Sequence, residues 1–130
     1  MQAQLNNIKI AVIEDDVPIC TMYELKLRNS GFSVKTAHNG KTGFALCEAF
    51  KPDLILLDQR MPEMNGNEML IQMRETEWGA NIRVIILTNI SKDEAPQSLR
   101  VLNIDRYIVK AHYTPAQIID VVKDVLALPA

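Results

Sequence analysis

Hydrophobic positions along the chain switch between two spacings. Residues 8–13 are apolar except for Lys9, a run of strand length that ends in Glu14-Asp15-Asp16. Pro18 then suits a first helical turn capped by Asp16, and Ile19, Met22, Tyr23, Leu25 and Leu27 recur at helical spacing up to Ser30-Gly31. Residues 32–37 form a more mixed strand, the pattern of a sheet edge. Asn39-Gly40 opens a second helix whose apolar positions are Phe44, Ala45, Leu46 and Ala49, and Lys51-Pro52 stops it. Leu54, Ile55, Leu56 and Leu57 make an uninterrupted apolar strand that ends on Asp58.

A Pro/Asn/Gly-bearing loop follows, and Asn65 with Glu68 three residues on predicts a capping box. That third helix turns Met69, Leu70 and Met73 inward and is expected to end near Trp78-Gly79. Residues 82–87 are a buried strand ended by Thr88. Pro96 permits a short fourth helix only if its first turn lies around residues 93–96, with the helix running to Leu102. Residues 104–109 are the last strand, ended by Lys110. Thr114-Pro115-Ala116-Gln117 is a strong helix start, and Ile118, Ile119, Val122, Val125 and Leu126 give the last helix its buried stripe.

Five strands alternating with five helices imply right-handed crossovers and a parallel sheet covered on both faces, a doubly wound α/β fold. The whole chain, residues 1–130, reads as one domain with a core over about 8–127. With 48% hydrophobic and 23% charged residues, composition excludes a disordered chain. The net charge of −2 and the scattered Lys and Arg predict no nucleic-acid footprint. No apolar run approaches the roughly 20 residues a membrane span needs. The polar first residues lack a signal peptide's apolar core, so a cytoplasmic location is expected. Cys20 and Cys47 lie in helical patterns without ligand spacing and read as packing residues, while His38 and His112 read as surface residues.

The chemistry lies in the strand ends. A parallel sheet delivers every strand's last residue to one edge, where ligands bind. Here that edge collects Glu14-Asp15, Asp58, Thr88 and Lys110. Each alone has a bland reading as a cap or a solvated side chain; together they do not. At an effective dielectric of ~20, like charges about 4 Å apart repel by roughly 4 kcal/mol, so clustered carboxylates call for a cation or raised pKa values. An all-oxygen set suits Mg²⁺. A carboxylate nucleophile beside a metal, with an ammonium and a hydroxyl for the remaining oxygens, is the inventory of phosphoryl transfer.

Glu14-Asp15, Asp58 with Met61-Pro62 behind it, Thr88 and Lys110 resemble the signature of response-regulator receiver domains of two-component signalling, and the likeness runs from about Ile8 to Leu126. The resemblance implies a flavodoxin-like (βα)5 sheet in the order 2-1-3-4-5. It implies that Asp58 accepts a phosphoryl group from a sensor histidine kinase or histidine phosphotransfer protein. It further implies Mg²⁺ ligands in Asp15, Glu14, Asp58 and the backbone carbonyl of Arg60. Thr88 and Lys110 would contact the phosphoryl oxygens, and Tyr107 matches the aromatic switch position. The output would be a protein-binding face made by the fourth helix, fifth strand and fifth helix, with no direct nucleic-acid or membrane contact. Ile90 and Arg60 fall at positions that modulate dephosphorylation in the family, and an apolar Ile90 implies slow self-hydrolysis.

The chain departs from the family pattern at Ala111, where proline is common, and at Asn65, Asn89 and Asn103, where aspartate, a small residue and glycine are common. Two other classes compete. A haloacid-dehalogenase-type phosphatase needs a second aspartate two residues past the nucleophile, and that position is Arg60. A phosphorylation-independent pseudo-receiver is expected to lack an aspartate, threonine or lysine of the signature, and none is missing. The domain is therefore expected to catalyse only its own phosphorylation and dephosphorylation. No further domain is expected after Leu126, so the chain reads as a single-domain regulator or a receiver cut from a longer protein.

Overall fold

A computed structural model of the protein describes residues 7–128. The strands are β1 Lys9–Ile13, β2 Ser33–Ala37, β3 Leu54–Leu57, β4 Arg83–Thr88 and β5 Arg106–Val109. They pair in parallel in the order β2-β1-β3-β4-β5, as the resemblance implied. The α-helices are α1 Val17–Asn29, α2 Gly40–Phe50, α3 Gly66–Arg74 and α4 Pro115–Val125.

Alternation along each buried strand divides the core between the two faces of the sheet. Val12, Leu56, Ile85, Leu87 and Ile108 pack with Tyr23 and Leu27 of α1 and with Ile118 and Val122 of α4. Ile13, Ile55, Leu57, Val84 and Ile86 pack on the other side with Cys47 of α2 and with Met69, Leu70 and Met73 of α3. Burial pushes the Cys20 thiol up to about 11 and the Cys47 thiol up to about 12, so both are inert packing groups, as expected.

Local signals fix the helix ends. Asp16 accepts the Ile19 N–H at 3.0 Å, and the boxes Asn65/Glu68 and Thr114/Gln117 are both formed. Helix α3 stops at Arg74, short of Trp78, because Thr76 Oγ1 bonds the Met73 carbonyl at 2.7 Å and turns the chain. Trp78 packs edge-to-face on Phe44 with ring centroids 5.3 Å apart. In α2 the sheet-facing residues are Gly40, Gly43 and Cys47; Ala45 and Ala49, expected on the apolar stripe, are exposed. A Cβ on Gly43 would lie 2.7 Å from Ile13 Cγ2, so the helix packs too closely for a larger side chain on that face.

The fourth predicted helix does not form. Two 3₁₀ turns stand in its place, Lys92–Glu94 and Gln97–Val101. Pro96 forces Ala95 into an extended conformation (φ −66°, ψ 146°), which breaks the helix the spacing suggested. Asn103 then takes φ 60°, the left-handed conformation for which an asparagine substitutes for glycine. Among the described residues no helix is long and apolar enough to cross a membrane.

Arg74 ties this segment to the body of the fold. Its guanidinium donates to the carbonyls of Leu102 (2.8 Å), Gly79 (2.9 Å), Ala80 (3.3 Å), Ile82 (2.8 Å) and Asn103 (3.1 Å). Burial lowers its pKa, and the charge of Asp105 opposes that. Arg74→Ala strands these carbonyls and is expected to lower stability by about 2–4 kcal/mol in urea titrations. Arg74→Lys, lacking the planar fork, recovers less than half of that loss.

Candidate functional site

The register of the three central strands assembles the site. Ile13 pairs with Leu57, and Leu57 with Ile86, so the residues that follow leave the sheet side by side. Glu14 N–H is held by the Ala37 carbonyl and Asp58 N–H by the Ile13 carbonyl, each at 3.0 Å. The sheet's own ladder thus carries on past the last paired residues and aims both side chains. Glu14 is 3% and Asp58 6% exposed, far more buried than carboxylates usually are.

Glu14, the exposed Asp15 and Asp58 each bring a carboxylate oxygen within 4.8 Å of the other two. Lys110 Nζ answers part of this charge, pairing with Glu14 Oε1 and lying 3.4 Å from Asp58 Oδ2. Asp58 Oδ1 accepts the Gln59 N–H at 2.7 Å, which fixes the rotation of the carboxylate. Glu14 Oε2 accepts the Asp16 N–H at 3.2 Å, and His38 Nδ1–H donates to the Glu14 carbonyl at 3.0 Å. His38 is exposed as expected, but its ring is tied to the site's backbone.

Burial raises the pKa of the Glu14 carboxyl; Lys110 opposes this, while the charge of Asp58 adds to it. The balance lifts Glu14 from 4.5 to about 7. Burial alone would lower Lys110, but its bond to Glu14 and the charges of both carboxylates hold it above its ordinary value. Lys110 opens a 3₁₀ turn over Lys110–His112 and reaches both carboxylates with Ala111 after it, so proline at that position is not needed for its aim.

Thr88, 1% exposed, ends β4 and accepts the Ile90 N–H on Oγ1 at 3.3 Å. Tyr107 of β5 donates its hydroxyl to the Ile90 carbonyl at 2.7 Å, so Thr88 and Tyr107 meet at the same residue. Burial raises the Tyr107 phenol's pKa, with the charges of Asp58 and Glu94 adding to it. Asn89 is exposed. Arg60 is exposed and shares a cleft with Asp15, Met61 and Ile90. The strand-end residues Glu14, Asp15, Asp58, Thr88 and Lys110 therefore share one edge of the sheet, with Glu14, Asp15, Asp58 and Lys110 in a single cluster, while Tyr107 lies inside β5, paired with Ile86.

Two participants were not anticipated. Gln59 is 4% exposed although it follows the strand. Gly66 brings α3 against the carbonyl of Asp58, a close backbone approach that no local pattern signals.

A doubly wound α/β domain with an acidic cluster, a lysine and a threonine at the strand ends is the architecture of a two-component receiver. The family profile of the response regulator receiver domain matches residues 10–123, and the chain belongs to that family. Over 122 residues it is 33% identical to the alkaline phosphatase synthesis transcriptional regulatory protein PhoP of Bacillus subtilis, a match covering 92% of this chain and 49% of that protein. The chain thus spans about half the length of that regulator. It is also similar to the Vibrio cholerae chemotaxis protein CheY4 (TM-score 0.83, 24% identity, 91% of this chain and 98% of that one). A third likeness is to the receiver domain of a Pseudomonas aeruginosa sensor histidine kinase, whose structure holds a magnesium ion in its active-site cleft (TM-score 0.79, 23% identity, 92% and 98% covered).

Proposed function

We propose that Asp58 accepts a phosphoryl group from a phosphohistidine on a sensor histidine kinase or histidine phosphotransfer protein in the cytoplasm, and that this switches a protein-binding surface. The observation that carries the reading is a buried strand-end carboxylate, pinned by the Gln59 N–H and faced by both the acidic pair and Lys110. In the step itself an Asp58 oxygen bonds to phosphorus as the phosphorus–nitrogen bond breaks, and the imidazole leaves with that electron pair. Lys110 moves its charge from the carboxylates to the incoming oxygens, and the Thr88 hydroxyl donates to another.

The oxygen donors Glu14, Asp15 and Asp58, with the Arg60 backbone carbonyl, fit Mg²⁺, a hard cation that takes few carboxylates and completes its shell with water and phosphate. Bound there, the ion would neutralise charge on the transferring group. Recruiting Thr88 changes its bond to Ile90, whose carbonyl holds the Tyr107 hydroxyl. That links the site to the 3₁₀ segment, β5 and α4, the face proposed for a downstream protein. The domain's chemistry is confined to its own phosphorylation and hydrolysis.

Incubation with Mg²⁺ and acetyl phosphate is expected to add one phosphoryl group by intact mass, lost in Asp58→Asn and absent when EDTA replaces the metal. Equal labelling of Asp58→Asn, or no labelling of the parent, refutes the assignment.

A further inference from the structure

Beside the site, one polar group is buried without a partner. Gln59 is 4% exposed, and its Nε2 makes no hydrogen bond. Folded proteins rarely leave a buried donor unpaired, and such a group calls for an explanation. The main chain of the same residue is engaged on both sides. Its N–H holds Asp58 Oδ1 at 2.7 Å, and its carbonyl accepts the Gly66 N–H at 3.1 Å. The amide is therefore carried at a fixed place next to Asp58, in the wall of a cleft it shares with Asp15, Asn65, Asn67, Ile90 and Glu94.

Of the side-chain acceptors in that cleft, most are already engaged. Asn65 Oδ1 is committed to the Glu68 N–H and Asn67 Oδ1 to the Ser98 hydroxyl, both at 2.8 Å. Asp15 belongs to the acidic cluster. Glu94 remains, an exposed carboxylate at the end of the 3₁₀ turn Lys92–Glu94. Ser91 (ψ 152°) before that turn and Ala95 (ψ 146°) after it are both extended, which sets the turn off from the next 3₁₀ turn, so shifting it would unwind no helix. Upstream it is tied to the site by the long 3.3 Å bond from Ile90 N–H to Thr88 Oγ1, the hydroxyl that a phosphoryl group on Asp58 would recruit.

We propose that Gln59 and Glu94 form a latch. When Asp58 carries a phosphoryl group, the Lys92–Glu94 turn closes over the cleft and Gln59 Nε2 donates to the Glu94 carboxylate. The latch rests on the phosphoacceptor reading above and names the contact that regulates that site. A ligand shifts a two-state element only through interactions that differ between the states. This charge-assisted bond is absent in the free chain and present in the closed one. The Gln59 side chain acts through the turn, so it is a positioning residue.

Beryllium fluoride, which mimics a phosphoryl group on a carboxylate, supplies the test when titrated in the presence of Mg²⁺ and followed by ¹⁹F NMR. Gln59→Leu keeps the volume and removes the amide. It is expected to raise the thermal midpoint of the free protein and to weaken beryllofluoride binding about tenfold. Glu94→Ala, at an exposed position, leaves the free midpoint unchanged and weakens binding to the same extent. The double variant binds no more weakly than either single one. A Gln59→Leu protein that binds as tightly as the parent, or single losses that multiply in the double variant, overturns the latch; should Gln59→Leu fail to fold, a Glu94→Ala protein that binds like the parent does so alone. A parent that takes up no beryllofluoride sinks the phosphoacceptor reading, and the latch with it.

Discussion

Gly66→Ala is expected to lower stability by about 3 kcal/mol and to slow phosphoryl acceptance by roughly a hundredfold. A Cβ at this position would sit 2.1 Å from the Asp58 carbonyl oxygen, 3.0 Å from its carbon and 3.2 Å from Gln59 Cα. These are backbone atoms, and neither side can give way cheaply. Helix α3 is anchored by the Asn65/Glu68 capping box and by Met69, Leu70 and Met73, all fully buried. The Asp58 main chain is held by the Ile13 carbonyl, so relief comes from displacing the end of β3 together with the carboxylate it carries. Because phosphoryl transfer depends mostly on positioning, a shift of that kind is felt in rate as well as in stability. Urea denaturation measures the first effect, and the time course of labelling by acetyl phosphate the second. A variant that loses stability but labels at the parent's rate would show that Asp58 tolerates movement of its own backbone.

The parts of this site legible in the sequence are those set by local pattern or by the parallel sheet. Once residues 54–57 are read as a strand buried on both faces, Asp58 must emerge at the sheet's ligand-binding edge, and the same logic brings Glu14, Thr88 and Lys110 to it. Asp16, Asn65 and Thr114 cap helices through their own side chains, so their roles are written within three residues. What stayed hidden is non-local or sits where two local signals conflict. The spacing around Leu99 and Leu102 favours a helix, but the steric demand of Pro96 on Ala95 is stronger and leaves two 3₁₀ turns. Gln59 follows the strand at a position no local pattern marks, yet it is 4% exposed and lines a cleft with the distant Ile90 and Pro96. In α2, alanines and glycines fit either face, and tertiary contact with Ile13 and Met69 selects Gly43 over Ala45 and Ala49.

The metal-free protein should lose stability as pH rises from about 4.5 to about 7, the reverse of ordinary acid denaturation. Glu14 is raised from 4.5 to about 7 in the folded chain, chiefly by burial, with Asp58 adding to the effect and Lys110 opposing it. Between those values the folded chain keeps a proton that the unfolded chain has released. Stability then changes with the difference in bound protons, which is negative for unfolding throughout this window. The contribution is fully present below pH 4.5, declines through the window and is gone above about 7. At 1.36 kcal/mol per pKa unit its full size is on the order of 3 kcal/mol. Thermal melts in EDTA across this range, with Glu14→Gln as the comparison, isolate the effect. The parent's slope should exceed the variant's, because a glutamine neither takes up nor releases the proton; equal slopes would show that Lys110 keeps Glu14 ionised. On the proposed function, Mg²⁺ requires the ionised carboxylate, so the ion should stabilise the parent more at pH 8 than at pH 6 and offset the loss. The same buried charge that weakens the free fold is then what gives the ion its hold on the site, a trade of stability for function made at Glu14.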